Sequence, residues 1–280
     1  MTARHFIRRL PWYLATLFML GVGFLWIYPF LWMVSASLKS PMEMFAGGLN
    51  LIPETLIWEN YKRAWVDAKF SQYMVNTIFI TVMTVAIVVV RCALAGYVLG
   101  RYAFRGRWIV MGVLVGTLFV PAGYTIIPVV ELSMNLGLLN SRWGMILALA
   151  GGAHVSAILL YAGYFSSLPK ELEEAAVVDG AGFTRVFFQI MMPLAMPVTA
   201  TVALLTFMFA WNAFFLPLVF SFSRPEIRTL SVGMQAFVGE NAVDWSGMAA
   251  AGVISILPMV VLLLVLQRYF VEGIAGAVKS

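Results

Sequence analysis

The chain has 280 residues, of which 62% are hydrophobic and only 11% charged. A soluble domain carries about 25% charged residues, so this chain has too few to cover a water-exposed surface. That excludes a soluble enzyme and a disordered chain, and the single cysteine, Cys92, excludes a disulfide-stapled domain. The net charge of +5 comes from basic residues beside apolar segments, so we assign it to membrane topology and expect no nucleic-acid partner.

Six apolar segments are each long enough to cross a bilayer, whose hydrocarbon core of about 30 Å needs roughly 20 helical residues. They predict an all-α membrane protein with six transmembrane helices and a single domain over residues 1–280. The first segment exceeds the roughly 7–15 apolar residues of a signal peptide, so we expect it to be retained. In chain order the segments are about 11–36, 72–100, 108–132, 143–165, 194–220 and 248–270.

Arginine and lysine residues predict the orientation, because they concentrate in short cytoplasmic loops. With the N-terminus inside, three Arg residues fall in the loop Gly100–Arg107 and one in the outer loop Ser133–Arg142. Both termini are therefore expected in the cytoplasm, together with residues 166–193.

The sequence offers no set of residues suited to catalysis. His5 and His154 are the only histidines and do not form a metal-ligand pattern with Cys92. No Lys follows a Gly, so the chain has no P-loop for ATP. Carboxylates of the kind that proton-coupled carriers bury are nearly absent from the spans, with only Glu131 near an outer end. We expect a chain that is not an enzyme, binds no metal or cofactor, and is driven by another protein.

The cytoplasmic segment 166–193 has a helical pattern of its own, SSLPKELEEAAVVDGAGFTRVFFQIMMP. Ser167 is expected to cap a helix, with Pro169 in the first turn and three Glu residues at the positive N-terminal end. Ala175 and Ala176 leave a flat face that another protein can approach closely.

A turn and a second short helix follow. Gly180 can adopt the left-handed conformation that ends a helix, and Phe183, Phe187 and Ile190 recur at helical spacing before Pro193. The pattern predicts a helix–turn–helix at the cytoplasmic surface. An alternative is an amphipathic element that lies on lipid, but such elements favour Lys and Arg on the polar face, whereas this one is acidic.

This segment resembles the EAA loop of ABC importer permeases of the maltose-transporter type, in the carbohydrate uptake group. SLKSPMEMFA, WENY at Trp58–Tyr61, Trp211-Asn212 and the terminal QRYFVEGIAGAVKS are also similar to that group. We call residues 166–193 the coupling loop. The residues that carry its resemblance are Glu174, Ala175, Ala176, Asp179, Gly180, Ala181, Phe187, Ile190 and Pro193.

The resemblance implies that these nine residues form an ATPase-docking site in a permease of the inner membrane. Glu174 and Asp179 would position the first helix, the alanines would allow close approach, and Gly180 would supply the bend. It also implies a homologous second permease subunit, two ATPase subunits that carry ATP and Mg, an external solute-binding protein and contact with membrane lipid. The alternative function is a stand-alone channel or secondary carrier.

Polar residues within the spans are weaker candidates. His154, Trp211 and Asn212 are candidates for the substrate path, with Trp211 stacking on a sugar ring and Asn212 bonding a hydroxyl. Interhelical hydrogen bonding is an alternative for His154 and Asn212. We expect Arg91, in the second span, to extend toward the lipid headgroups.

Overall fold

The computed structural model describes residues 3–48, 50–152, 154–239 and 242–277. Over these residues the chain is predominantly helical, and the extended pairing found there is a bridge between Val238 and Val243. In chain order the α-helices are Ala3–Ala36 (α1), Pro41–Ala46 (α2), Glu59–Lys62 (α3), Phe70–Arg101 (α4), Arg107–Thr117 (α5), Ile126–Asn135 (α6), Arg142–Gly151 (α7), Val155–Ser167 (α8), Glu171–Val178 (α9), Phe183–Val186 (α10), Met192–Leu194 (α11), Met196–Trp211 (α12), Phe215–Phe220 (α13), Leu230–Gly233 (α14) and Trp245–Ala277 (α15).

Three helices of the described chain are long and apolar enough to cross a membrane. They provide the segments Trp12–Ala36, Phe70–Arg101 and Trp245–Val265. Two bent helix pairs raise the number to five if each pair is one span: α7 with α8, and Phe183–Leu194 with α12, which meet at 81°. The all-α membrane architecture is thus confirmed, while six spans and the placement of the termini stay predictions.

The third predicted segment, 108–132, is not one continuous helix. Helix α5 ends at Thr117, a 3-10 turn occupies Ala122–Thr125, and α6 begins only at Ile126. Pro121 lies in this break with an extended backbone (φ −63°, ψ 129°). Proline has no amide donor and clashes with a preceding helical turn, which explains why the helix stops here.

The fourth and fifth segments, 143–165 and 194–220, are interrupted as well. Between α7 and α8, Gly152 is extended (ψ 157°) and His154 is left-handed (φ 43°). The fifth segment breaks after Trp211, before α13. A hydropathy window does not reveal these breaks, because each is only a few residues long and has an apolar helix on either side.

The described residues form two compact units. One contains those of Met1–Phe70 and Met234–Leu257, and the other those of Ser71–Gly233 and Pro258–Ser280. The second unit holds the coupling loop and the cavities discussed below.

In the first unit, hydrogen bonds join two stretches of the predicted outer loop. The amide Nδ2 of Asn60 donates to the carbonyls of Ser37 (2.9 Å) and Lys39 (3.0 Å), and Asn60 is only 1% exposed. The hydroxyls of Ser37 and Tyr61 are 2.8 Å apart. The SLKS and WENY stretches therefore fold as one element.

In the second unit, α4 and α8 approach each other at backbone distance. Gly96 and Gly100 lie one turn apart on α4 and face Tyr161 and Ala162 of α8. A Cβ atom added to Gly100 would lie 2.6 Å from the carbonyl oxygen of Ala162. Small residues at this spacing allow close helix packing in membranes, so α4 and α8 form a tightly packed pair.

Candidate functional site

The first helix of the coupling loop, α9, begins later than predicted. Ser167 is the last residue of α8, and its hydroxyl donates to the carbonyl of Tyr164 (2.7 Å). The residue that precedes α9 is Lys170, without a side-chain cap. The prediction of Ser167 as a cap is wrong, because α8 extends through it. The acidic first turn is confirmed, however, with three Glu residues whose charges favour the positive end of the helix.

The predicted docking residues lie on different sides of α9. Glu174, Ala175 and Asp179 are exposed. Ala176 is only 8% exposed and packs in a core cluster with residues of α4 and α8. Consecutive helical residues are separated by about 100° around the axis, so the two alanines face different surroundings. Ala176 therefore packs inward against the core, and its assignment to the docking site stays a prediction.

The turn after α9 has the geometry that the sequence predicts. Gly180 adopts a left-handed conformation (φ 80°). The amide of Gly180 donates to the carbonyl of Val177 (3.0 Å), and the amide of Ala181 donates to that of Ala176 (2.9 Å). This pair of bonds forms a Schellman motif, which satisfies the last carbonyls of a helix. The conformation of Gly180 is confirmed.

The second part of the coupling loop is anchored through aromatic rings. Phe187 is fully buried, and its ring centroid lies 5.4 Å from that of Tyr97 on α4. Ile190 packs half-buried against the same core cluster. Pro193 lies in α11 and is exposed. Phe187 and Ile190 thus hold the loop on the body of the second unit, as the resemblance implies.

An ion pair that the sequence analysis missed connects α9 to α4. The guanidinium of Arg101 places Nε and Nη2 each 2.7 Å from Oε2 of Glu173. The two side chains are 4% and 19% exposed. Nη1 of Arg101 also donates to the carbonyl of Leu168 (2.7 Å). From the sequence, Arg101 counts only as a topology signal, and nothing in the pattern distinguishes Glu173 from the two other Glu residues of its turn.

His154 lies in the break between α7 and α8. Its Nε2 is 3.1 Å from the carbonyl oxygen of Leu149, and its ring meets that of Phe209 edge-on at 5.9 Å. His154 lines two cavities, of about 880 Å³ and about 420 Å³. Of the three candidates for the substrate path, it has the clearest access to open space.

The structure does not bring Trp211 and Asn212 to these cavities. Trp211 is 4% exposed, and its ring stacks on Phe207 with centroids 5.0 Å apart. The amide of Asn212 donates to the carbonyl of Met208 (2.8 Å) in the helix that it ends. A ring face already covered by Phe207 is not free to stack on a sugar in this conformation.

Arg91 does not extend toward the headgroups. Its guanidinium donates to the carbonyls of Gly151 (3.3 Å) and Gly152 (2.6 Å) at the end of α7. The expectation is wrong because the break after α7 leaves carbonyls without amide partners, and a cation at a helix C-terminus satisfies them.

The chain thus combines apolar helices long enough to cross a membrane with an acidic, exposed helix on the loop between two of its apolar segments. Residues 92–276 match the family described as binding-protein-dependent transport system inner membrane component, and the chain belongs to that family. The resemblance drawn from the coupling loop is confirmed, and the chain is an inner-membrane permease subunit of an ABC importer.

Three relatives and one solved structure indicate how far the similarity extends. The diacetylchitobiose uptake system permease protein NgcG of Streptomyces coelicolor is 35% identical, over 91% of this chain and 83% of its own. The melibiose/raffinose/stachyose import permease protein MelC of Bacillus subtilis is 32% identical (90% and 91%). The trehalose transport system permease protein SugB of Mycobacterium tuberculosis is 34% identical (96% and 97%). A chain of a bacterial ABC transporter involved in the import of the acidic polysaccharide alginate superposes with a TM-score of 0.81 at 28% identity (94% and 98%).

Proposed function

We propose that this permease imports a carbohydrate and that the outer face of α9 docks on a separate ATPase. The observation that carries the proposal is the exposed group of Glu174, Ala175 and Asp179 on the coupling loop. Ala175 lets another backbone approach closely, and the two acids flank it with charge for polar contacts. The left-handed turn at Gly180 and the buried Phe187 fix the position of this helix on the body of the second unit.

The membrane arrangement that we propose is a single permease domain with six spans and both termini in the cytoplasm. The third span then consists of α5 and α6 joined through the Pro121 break. The Lys and Arg distribution supports this orientation, and the coupling loop then faces the compartment that contains ATP.

We propose that the chain itself hydrolyses no ATP. Two ATPase subunits with ATP and Mg would supply the energy, and closure of their dimer would move α9. A homologous second permease would complete the translocation path, and an external binding protein would deliver the solute. The family description, which names a binding-protein-dependent transport system, supports these partners.

The carbohydrate assignment rests on the relatives, whose names refer to diacetylchitobiose, melibiose and trehalose. Within this chain, His154 is the residue that we place beside the substrate path, because it lines both cavities. Calorimetry of the cognate solute-binding protein with a panel of oligosaccharides identifies the solute.

Substitution at Ala175 tests the docking role. In the assembled complex, Ala175→Cys is expected to cross-link to a cysteine in the ATPase cleft. Ala175→Trp should abolish assembly with the ATPase, because an aromatic side chain of about 150–250 Å² cannot enter a fitted cleft without displacing the helix. Co-purification of the ATPase with a tagged permease measures the effect.

Two variants serve as controls. Phe188→Trp replaces one exposed aromatic side chain with another and should be milder. Ala176→Trp should destabilise the permease itself, because Ala176 packs in the core. If Ala175→Trp assembles and transports normally, α9 is not the docking element. An amphipathic element that lies on lipid is then the better explanation. Transport without any ATPase would instead support a channel or carrier.

A further inference from the structure

The ion pair between Arg101 and Glu173 is a directional contact between α9 and α4. Two nitrogens of the guanidinium converge on one carboxylate oxygen, each at 2.7 Å, a charge-assisted arrangement with defined geometry. The apolar contacts of Ala176 in the same region are non-directional. A displacement of α9 is therefore transmitted to Arg101 through Glu173 along a defined direction, which the apolar contacts do not provide.

The space around the pair supports this reading. A cavity of about 480 Å³ beside it is lined by residues of α4, α9 and α10, among them Tyr97, Val177 and Phe183. Helix α9 is thus not packed against the body along its whole length. Where the packing is incomplete, the ion pair is a defined point of contact between the helix and the body.

Arg101 also belongs to a stiff part of the molecule. It follows Gly100, where α4 packs against α8 at backbone distance. The same guanidinium donates to the carbonyls of Phe165 (3.3 Å) and Leu168 (2.7 Å) at the end of α8. A force applied to Arg101 therefore acts on α4 and α8 together.

We infer that Glu173 is a positioning residue that transmits the movement of α9 to the α4–α8 pair through Arg101. This inference rests on the proposed ATPase docking, and it assigns different roles to two adjacent acids. Glu174 is exposed and also lines the cavity beside the pair, and we assign it to the contact with the ATPase, whereas Glu173 is paired with Arg101.

The test uses the complete importer in lipid nanodiscs, with ATP and vanadate as the probe. Ser156 of α8 lines the cavity of about 420 Å³. A Ser156→Cys substitution on a Cys92→Ala background gives a thiol whose maleimide-labelling rate reports movement of α8. With native Glu173 we expect ATP and vanadate to change this rate. Glu173→Gln should reduce the change at least about fivefold while the ATPase stays bound, because glutamine keeps the shape of the side chain but not its charge.

Glu171→Gln is the matched control, since it removes one acid from the same turn at an exposed position. It should leave the ATP-dependent change intact. If both variants behave alike, or if the rate is insensitive to ATP with native Glu173, the inference is overturned.

Should Glu173→Gln fail to assemble, Glu173→Asp is expected to show the same loss, because its carboxylate is one methylene too short. Full coupling in that variant also overturns the inference. Failure of docking itself appears separately, as a missing Ala175→Cys cross-link with native Glu173.

Discussion

Two arginines of α4 satisfy the ends of two different helices, and among the described residues only Arg101 has an acidic partner. Arg91 donates to the carbonyls of Gly151 and Gly152 at the end of α7. Arg101 donates to the carbonyl of Leu168 after α8 and also binds Glu173. The first contact joins two elements within the membrane region, whereas the second joins three and includes the coupling loop. The same residue type on the same helix thus stabilises a break in one place and binds the coupling loop in the other.

The largest expected effect comes from truncating the two arginines in parallel. Arg101→Ala leaves the carboxylate of Glu173, which is 19% exposed, without its cation. Removing one partner of a buried pair costs about 3–5 kcal/mol. Arg91→Ala removes hydrogen bonds to two carbonyls and should cost about 1–3 kcal/mol. Thermal unfolding of the two purified variants in detergent compares these losses of stability. An equal or larger loss for Arg91→Ala would remove the distinction between the two sites.

Hydropathy and turn chemistry predict much of this molecule. The apolar segments, the acidic start of α9 and the left-handed Gly180 all follow from local properties: transfer free energy, helix-end electrostatics and the absence of a Cβ atom. Each depends on a residue and its near neighbours in the chain, so each can be predicted without knowledge of the tertiary structure.

The features that the sequence does not predict are those that depend on a distant partner. Arg91 and Arg101 are both isolated basic residues in α4, and nothing nearby in sequence says which one has a carboxylate within reach. Ala175 and Ala176 are identical side chains, and only the position of α9 on the core separates them. The breaks at Pro121 and at Gly151–Val155 depend on whether neighbouring groups satisfy the freed backbone.

A smaller effect is expected at the Gly180 turn, which ends α9 in the coupling loop. Gly180→Val forces a β-branched residue into a left-handed backbone (φ 80°), at about 1–2 kcal/mol. ATP hydrolysis stimulated by the loaded binding protein should fall about five- to thirtyfold if that energy opposes the docked geometry. The permease should still insert, because the spans are unchanged.

Gly182→Val is the matched control for that turn. Gly182 lies two residues further on with φ −76°, and an added Cβ meets open space at both glycines. Gly182→Val should therefore keep most of the stimulated hydrolysis. Equal losses in the two variants would indicate that bulk in the loop, rather than backbone conformation, is what matters.

The smallest effect is expected at His154, beside the carbonyls that Arg91 satisfies. His154 is left-handed (φ 43°) and its Nε2 lies 3.1 Å from the carbonyl oxygen of Leu149. Asparagine tolerates this backbone better than most residues, so His154→Asn should lower the free energy of unfolding by less than about 1 kcal/mol, whereas His154→Val should cost about 1–2 kcal/mol. Because the Nε2 atom is already engaged within the chain, solute uptake by His154→Asn should stay within about threefold of wild type, which is under 1 kcal/mol. A much larger loss of uptake at unchanged thermal stability would show that the imidazole acts on the solute. The break between α7 and α8, which Arg91 stabilises, would then be part of the transport path.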